Sequence, residues 1–258
     1  MSLRTFRTAM TPYDDAATLF LSVRRGDLPR LDGLPEAMRP ATEADAYDIQ
    51  HAVSAAMGGI AGWKVGSPNP AATHFTCAPL PAGTVSDGPL TVQGSERGVE
   101  AEIAVRLGRD LPPRETPYSI AEVRDAIKSA HPAIEVLESR FVDSAAAGAM
   151  SALADSLSNH SLVLGPAIDG WDDIDLATET VRLLVDGVEI KTGTANPGGE
   201  MLRLVAWLAN EGTRWAGGLR KGQVVTTGSW TGKDYTAPGV EVAAQFARCG
   251  TVTLRFAS

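Results

Sequence analysis

The stretch that most constrains the fold of this chain is "GVEAEIAVRLGRDL", residues 98–111. Its first part alternates apolar residues with charged or small ones, and successive side chains of a β-strand point to opposite faces of the sheet. The pattern predicts a strand with one apolar face, from Val99 to Val105 at every second position, and one face that carries Glu100 and Glu102. Two acids on one face are either exposed to water or bound to a ligand, and this stretch alone leaves both interpretations open.

A second predicted strand, "HPAIEVLESRF", places Glu135 between two apolar residues. A carboxylate inside an apolar strand is costly unless it is paired or bound to a metal. Three carboxylates gathered from two strands would repel one another, and a divalent cation would relieve that repulsion. Ligands that are all oxygen favour Mg²⁺, Mn²⁺ or Ca²⁺ over zinc. We therefore expect Mg²⁺ or Mn²⁺ at a site that also leaves coordination positions for water and substrate.

A substrate with two suitably spaced oxygens can occupy such open positions. A 2-oxo acid offers its carboxylate and its keto oxygen, and the cation then acts as a Lewis acid that stabilises the enolate. The chemistry expected of such a site is proton transfer, hydration or carbon–carbon cleavage beside a ketone.

Composition limits the class of protein. The chain has 258 residues, of which 44% are hydrophobic, which is enough for a substantial core. A net charge of −8 without a basic run argues against a nucleic-acid partner. Neither a signal peptide nor an apolar run of about 20 residues is recognisable, so we expect no membrane association. The two cysteines are far apart in the sequence, which favours a reducing, cytoplasmic location.

The order of predicted elements indicates an α+β fold. Residues 1–60 form a predicted N-terminal helical segment, whose second helix, "TEADAYDIQHAVSAAMGG", is capped by Thr42. Residues 61–258 form a predicted catalytic domain of short strands, with a hairpin in "ETVRLLVDGVEI" and helices in "SIAEVRDAIKSA" and "PGGEMLRLVAWLANEG". The strands and helices do not alternate regularly, which argues against a doubly wound sheet.

Six short motifs occur in a familiar order: "GWKVG", "VEAEIAVRLGRDL", "PAIEVLESR", "LADSLSNHSLVLG", "LVAWLANEG" and "GQVVTTGS". With them the chain resembles the fumarylacetoacetate hydrolase superfamily, in the branch of 2-keto-4-pentenoate hydratase and 4-oxalocrotonate decarboxylase. The resemblance extends from about residue 40 to residue 257. It implies the α+β fold of that superfamily, with rolled, layered mixed β-sheets, and a homo-oligomer.

The resemblance also implies roles for individual residues. Glu100, Glu102 and Glu135 match the metal ligands of the family. Lys64 in "GWKVG" matches its active-site lysine, although a lysine between apolar neighbours also occurs simply with its amine extended to water. As a catalytic residue, Lys64 would stabilise the enolate or relay protons, with burial and the metal charge lowering its pKa.

Substrate binding is implied for a second group of residues. Ser229 in "TTGSW" lies where relatives place a small hydroxyl residue, and Gly228 would let the backbone approach the ligand. The chain departs from the family pattern in two places. Cys77 and Leu80 in "CAPLPAG" stand where relatives have acids, and "NHS" at residues 159–161 replaces small residues, so we expect His160 to line the pocket and help select the substrate.

These expectations give one preferred function and two alternatives. The preferred one is a metal-dependent hydratase, a lyase, for an unsaturated 2-oxo or 2-hydroxy acid such as 2-hydroxypenta-2,4-dienoate in the catabolism of aromatic compounds. One alternative is a decarboxylase of the 4-oxalocrotonate type. The other is a non-catalytic protein that binds a 2-oxo acid, suggested by the missing acids at Cys77 and Leu80. Hydrolysis is disfavoured, because no His-x-x-Glu pair occurs in the N-terminal half.

Overall fold

The computed structural model describes residues 12–258, whose strands form two mixed β-sheets. In chain order the strands are β1 (Ile60–Gly66), β2 (Thr76–Pro81), β3 (Val85–Asp87), β4 (Thr91–Val92), β5 (Gly98–Leu107), β6 (Ile127–Leu137), β7 (Asn159–Leu164), β8 (Thr180–Val185), β9 (Val188–Thr194), β10 (Val224–Thr226), β11 (Asp234–Tyr235), β12 (Glu241–Phe246) and β13 (Gly250–Phe256). The larger sheet has the order β2-β1-β10-β5-β6-β7-β3, with β11 beside β5, and the smaller has the order β4-β13-β12-β8-β9. Parallel pairs (β1 with β10, β3 with β7, β4 with β13) occur among antiparallel ones.

Five α-helices occur among the described residues. They are α1 (Pro12–Arg24), α2 (Glu43–Ala56), α3 (Ile120–Ala126), α4 (Ala149–Ala154) and α5 (Met201–Trp207). The predicted cap of α2 is confirmed, because the Thr42 hydroxyl accepts a hydrogen bond from the Asp45 amide and the Asp45 side chain accepts one from the Thr42 amide. From residue 12 onward, none of the helices combines the length and the apolar character needed to cross a membrane.

Strand β5 has the two unlike faces that its alternation predicts. Its apolar face is completely buried from Val99 to Val105 and joins residues of the smaller sheet, such as Leu183 and Leu254, in the main hydrophobic core. Packing between the sheets therefore fixes which way the strand faces. The opposite face, with Glu100 and Glu102, points away from this core.

A second apolar cluster joins α1, α2 and α4. Phe20 and Ile49 from the N-terminal segment pack there with Phe141 and Leu153. Because residues on both sides of position 60 contribute to this cluster, the division into residues 1–60 and 61–258 stays a prediction.

The boundary between α3 and β6 differs from the prediction. The helical pattern of "SIAEVRDAIKSA" continues to Ala130, but the helix ends at Ala126 and the strand begins at Ile127. Pairing with β5, in which Ile127 faces Leu107 and Ala130 faces Val105, overrides the local helical preference. Strand β2, which contains Cys77 and Leu80, has no counterpart among the predicted elements.

Candidate metal centre

The two longest strands of the larger sheet bring three glutamates together. Glu100 on β5 lies opposite Glu135 on β6, and Glu102 follows on the same face of β5. One carboxylate oxygen from each residue lies within 4.8 Å of the others. The side chains of Glu102 and Glu135 are buried, and that of Glu100 is half-buried. All three line a cavity of about 270 Å³, which Lys64, Gly228 and Ser229 also line.

Lys64 reaches the carboxylates from β1. Strand β10 lies between β1 and β5, with Thr226 opposite both Lys64 and Ala104, so Lys64 shares the glutamate face. The Lys64 Nζ lies 2.7 Å from Glu135 Oε1 and 3.3 Å from the carbonyl oxygen of Leu157. The lysine side chain is only 13% exposed.

The protein's own charges set the direction in which the pKa of Lys64 shifts. Burial by itself lowers this pKa, but the charges of Glu135, Glu100 and Glu102 and the hydrogen bond to Glu135 outweigh burial and raise it. The expectation of a lowered pKa also counted the charge of a bound cation, and it stays a prediction for the site with its metal. With its pKa raised by the neighbouring carboxylates, Lys64 carries a positive charge at neutral pH.

The carboxylates themselves titrate abnormally. Burial, followed by the charge of Glu135, raises the pKa of Glu100. Burial, followed by the charges of Glu135 and Glu100, raises the pKa of Glu102 well above its usual range. One lysine therefore does not compensate for three clustered acids, and the site favours additional positive charge.

Protein donors occupy one oxygen in each of two glutamates. Glu102 Oε2 accepts hydrogen bonds from the Thr226 hydroxyl and from the Gly228 amide, the latter at 3.1 Å. Glu135 Oε1 accepts from Lys64 and, at 2.8 Å, from the side-chain amide of Asn159. The other oxygen of Glu135, Oε2, is buried and has no hydrogen-bond partner among the described residues. A buried carboxylate oxygen without a partner, close to two other carboxylates, fits a hard cation.

Gly228 and Ser229 lie directly after β10. Gly228 has a φ of +91°, which glycine adopts readily, and this turn aims its amide at Glu102. The Ser229 hydroxyl is near enough to Glu100 to favour the ionised carboxylate, but it is buried without a well-formed hydrogen bond to any described residue. Both residues therefore lie where a ligand of the cavity can contact them.

His160 is not brought to the glutamates. The pairing of β6 with β7 shifts between Val136 and Leu137, so Asn159 rather than His160 pairs with Leu137 and its side chain reaches Glu135. His160 and Ser161 instead line a separate cavity of about 780 Å³. Burial lowers the pKa of His160 to about 4, and its Nε2 lies 3.7 Å from Glu138. The expectation that His160 lines the substrate pocket rested on the family resemblance, in which "NHS" replaces small residues. The irregular start of β7 places His160 outside the lining of the glutamate cavity.

The residues that replace the acids of relatives are buried in apolar surroundings. Leu80 packs in a small cluster with Ala104, Leu162 and other apolar residues. Burial raises the pKa of the Cys77 thiol to about 12. Neither residue lines the cavity. A His–Glu pair that the sequence spacing did not reveal, His74 with Glu43 at 2.9 Å, is exposed and also lies outside the cavity lining.

Residues from two loops complete the lining of the cavity. Ser67 belongs to one loop, and Asn196 to Gly198 belong to the other. Arg203 joins them, because its guanidinium donates one hydrogen bond to the Ala72 carbonyl and one to the Gly198 carbonyl, each at 2.8 Å. This bridge between the loops has no signal in the sequence beyond the presence of an arginine in α5.

Sequence reasoning also missed the segment that leads into β7. Ser156, Leu157 and Ser158 adopt φ values of 53°, 52° and 64°, in the left-handed region that non-glycine residues rarely occupy. This turn directs the Leu157 carbonyl to Lys64 and delivers Asn159 to Glu135. The unusual "NHS" triplet was the available signal, but the contacting residue is its asparagine and not its histidine.

Comparison with known proteins identifies a matching family and several relatives. Residues 51–257 match the family of fumarylacetoacetate (FAA) hydrolase C-terminal domains. A TodF product hydratase from Pseudomonas putida is 32% identical over 160 residues, which is 62% of this chain and 59% of the relative. A 4-oxalocrotonate decarboxylase from Pseudomonas putida is 30% identical over 160 residues, 61% of this chain and 59% of the relative. The matched part thus spans less than two thirds of the length of these relatives.

Solved structures share the fold. A 4-oxalocrotonate decarboxylase from Pseudomonas putida, complexed with calcium and acetate, superposes with a TM-score of 0.79 over 97% of this chain and 100% of that chain, at 23% identity. The same enzyme complexed with magnesium and adipate has a TM-score of 0.77. The predicted α+β fold is thereby confirmed. Because the family match covers most of the chain and the glutamates of its motifs converge in space, this chain belongs to the fumarylacetoacetate hydrolase family.

Proposed function

We propose that this protein is a divalent-metal-dependent lyase that hydrates an unsaturated 2-oxo or 2-hydroxy acid, for which 2-hydroxypenta-2,4-dienoate is the first candidate. The observation that carries the proposal is the cluster of Glu100, Glu102 and Glu135, whose oxygens lie within 4.8 Å of one another in a cavity that holds Lys64. The names of the relatives, a hydratase and a decarboxylase, support this class of chemistry.

Glu100, Glu102 and Glu135 would hold the cation, for which Mg²⁺ or Mn²⁺ is proposed. The unpartnered Oε2 of Glu135 and the all-oxygen donor set support a hard ion, as do the calcium and magnesium complexes of the structurally similar decarboxylase. When bound, such an ion supplies Lewis-acid stabilisation of negative charge on the oxygens of a 2-oxo acid.

Lys64 is proposed to stabilise the same developing charge from the side of β1. An ammonium group has three donors, and two of them are directed at Glu135 and at the Leu157 carbonyl. The third donor is available to a substrate oxygen. A fixed cation in a site that excludes most water stabilises an oxyanion more strongly than it would in bulk solvent.

Ser229 and Gly228 are proposed to bind the substrate carboxylate. The Ser229 hydroxyl is buried and unpaired, so a ligand that accepts its hydrogen bond removes the cost of the unsatisfied donor. The left-handed backbone at Gly228 leaves this corner of the cavity without a side chain. The cavity volume of about 270 Å³ suits a small acid.

The test is an ultraviolet absorbance assay with 2-hydroxypenta-2,4-dienoate in Mg²⁺, in Mn²⁺ and in EDTA. Loss of the dienoate signal is expected only with a divalent ion. Glu135→Gln should abolish this turnover while the circular dichroism spectrum stays that of the folded protein. Full turnover by the wild type in EDTA, or by Glu135→Gln, contradicts the proposal.

A decarboxylase is the second candidate, and one observation favours it. Among the described residues that line the cavity, the charged ones are Lys64 and the three glutamates, so no further acid is present there to place a water molecule. Decarboxylation does not require an added water. Release of CO₂ from 4-oxalocrotonate, with the dienoate untouched, would select this reaction, and tight binding of 2-oxo acids without any turnover would select the non-catalytic alternative.

A further inference from the structure

The side chain of Asn159 donates a hydrogen bond to Glu135, whereas the next two residues, His160 and Ser161, line a different cavity. It is completely buried at the start of β7, and its Nδ2 donates to Glu135 Oε1 at 2.8 Å. Lys64 donates to the same oxygen at 2.7 Å. Both donors therefore act on one oxygen of Glu135, and the other, Oε2, is left buried and unpartnered.

The backbone of Asn159 is also hydrogen-bonded, whereas the side-chain Oδ1 is buried and has no hydrogen-bond partner among the described residues. Its carbonyl oxygen accepts a hydrogen bond from Arg140 at 2.8 Å and another from the guanidinium of Arg24. Arg140 is in turn held in a buried ion pair with Asp155. These contacts flank the left-handed turn from Ser156 to Ser158, a conformation that non-glycine residues rarely adopt. The backbone that carries the Asn159 amide is thus anchored beside Glu135.

We propose that Asn159 is a positioning residue, which turns Glu135 so that Oε2 alone faces the cation and Glu135 binds it through a single oxygen. This inference rests on the proposed metal site. A neutral amide suits the task, because it donates to a carboxylate without adding charge to a cluster that already holds three acids and one lysine. Without the Asn159 side chain, Glu135 Oε1 keeps only its hydrogen bond from Lys64, and the carboxylate can rotate more freely. Binding of the cation must then restrict this rotation, which costs conformational entropy.

The test uses Mn²⁺ alone, titrated into purified protein and followed by electron paramagnetic resonance of the free ion. Wild type should bind one Mn²⁺ per chain, and Asn159→Ala should bind it about 10–100-fold more weakly, the loss typical of removing a hydrogen-bond partner from a metal ligand. Asn159→Leu, which has a similar branched shape but no hydrogen-bond donor, should weaken Mn²⁺ binding to a similar extent.

Asn210→Ala is the matched control. The Asn210 side chain makes two hydrogen bonds with the backbone of Tyr118, at 2.7 and 3.1 Å, and does not line the cavity. Its loss should lower thermal stability in EDTA and leave Mn²⁺ affinity unchanged. A purely structural role for Asn159 would give this same pattern, and unchanged affinity in its variants overturns the proposal.

A crystal of the wild type soaked in Mn²⁺ gives a second, variant-free test. Coordination through Glu135 Oε2, with Asn159 Nδ2 still at hydrogen-bond distance from Oε1, is expected. Coordination through Oε1, or through both oxygens, overturns the inference. If the wild type binds no Mn²⁺ at all, the proposed metal centre itself is wrong, so the two failures are distinguishable.

Discussion

Replacing Lys64 with methionine should destabilise the protein in a way that a divalent cation reverses. Lys64→Met keeps the length and apolar stem of the side chain and removes its charge. It leaves Glu135, which is completely buried, without its cation at 2.7 Å, and it removes a positive charge that favours the ionised forms of Glu100 and Glu102. The variant therefore isolates the electrostatic role of the lysine.

The size of the effect follows from the burial of this ion pair. The side chain of Glu135 is 0% exposed and that of Lys64 is 13% exposed. Removing one partner of a buried pair typically costs about 3–5 kcal/mol. For a chain of this size each kcal/mol lowers Tm by about 2–4 °C, so Tm in EDTA should fall by about 6–20 °C.

Thermal unfolding of wild type and Lys64→Met, each in EDTA and in saturating Mg²⁺, measures this effect. The variant should recover much of its lost Tm in Mg²⁺, because a cation bound between the glutamates takes over part of the lost compensation. Lys221→Met, at an exposed lysine, is the control and should change Tm little in either condition. An equal drop in EDTA and in Mg²⁺, or no drop in EDTA, refutes the electrostatic reasoning.

Three further predictions concern the same cavity. Gly228→Ala should cost about 1–3 kcal/mol in urea unfolding, because the φ of +91° disfavours any side chain, and an unchanged midpoint would show that the turn relaxes. Arg203→Lys keeps the charge but cannot donate to the Ala72 and Gly198 carbonyls at the same time, so amide hydrogen exchange should become faster in residues 67–75 and 196–199. Unchanged exchange rates would show that these loops are stable without the two hydrogen bonds. The folded protein raises the pKa of Glu100 and Glu102, so their favourable contribution to stability is complete below the ordinary carboxyl value near 4.5 and is lost as pH rises through the folded values. The increase in Tm caused by Mg²⁺ should therefore grow with pH. An increase in Tm that is independent of pH would contradict this reasoning.

Local patterns predicted much of the fold because they report burial and capping directly. The alternation in β5 identified its two faces, and Thr42 marked the start of α2. The end of α3 was wrong because pairing with β5 is a contact between distant residues, which periodicity within a segment does not record. The hairpin of β8 and β9 was predicted correctly, since its Asp186–Gly187 turn determines it locally.

The sequence by itself indicated which residues meet in the acidic cavity. Glu100 and Glu102 share a face because a strand alternates, and the family motifs identified Glu135 and Lys64 as their companions. Tertiary structure alone decided how these groups are held: the pairing of β10 between β1 and β5 brings Lys64 into contact, and the left-handed turn before β7 points Asn159, rather than His160, at Glu135. The physical reason is that hydrogen-bond direction and burial depend on how strands distant in the sequence pair with one another. The residue pattern within a single segment carries no information about that pairing.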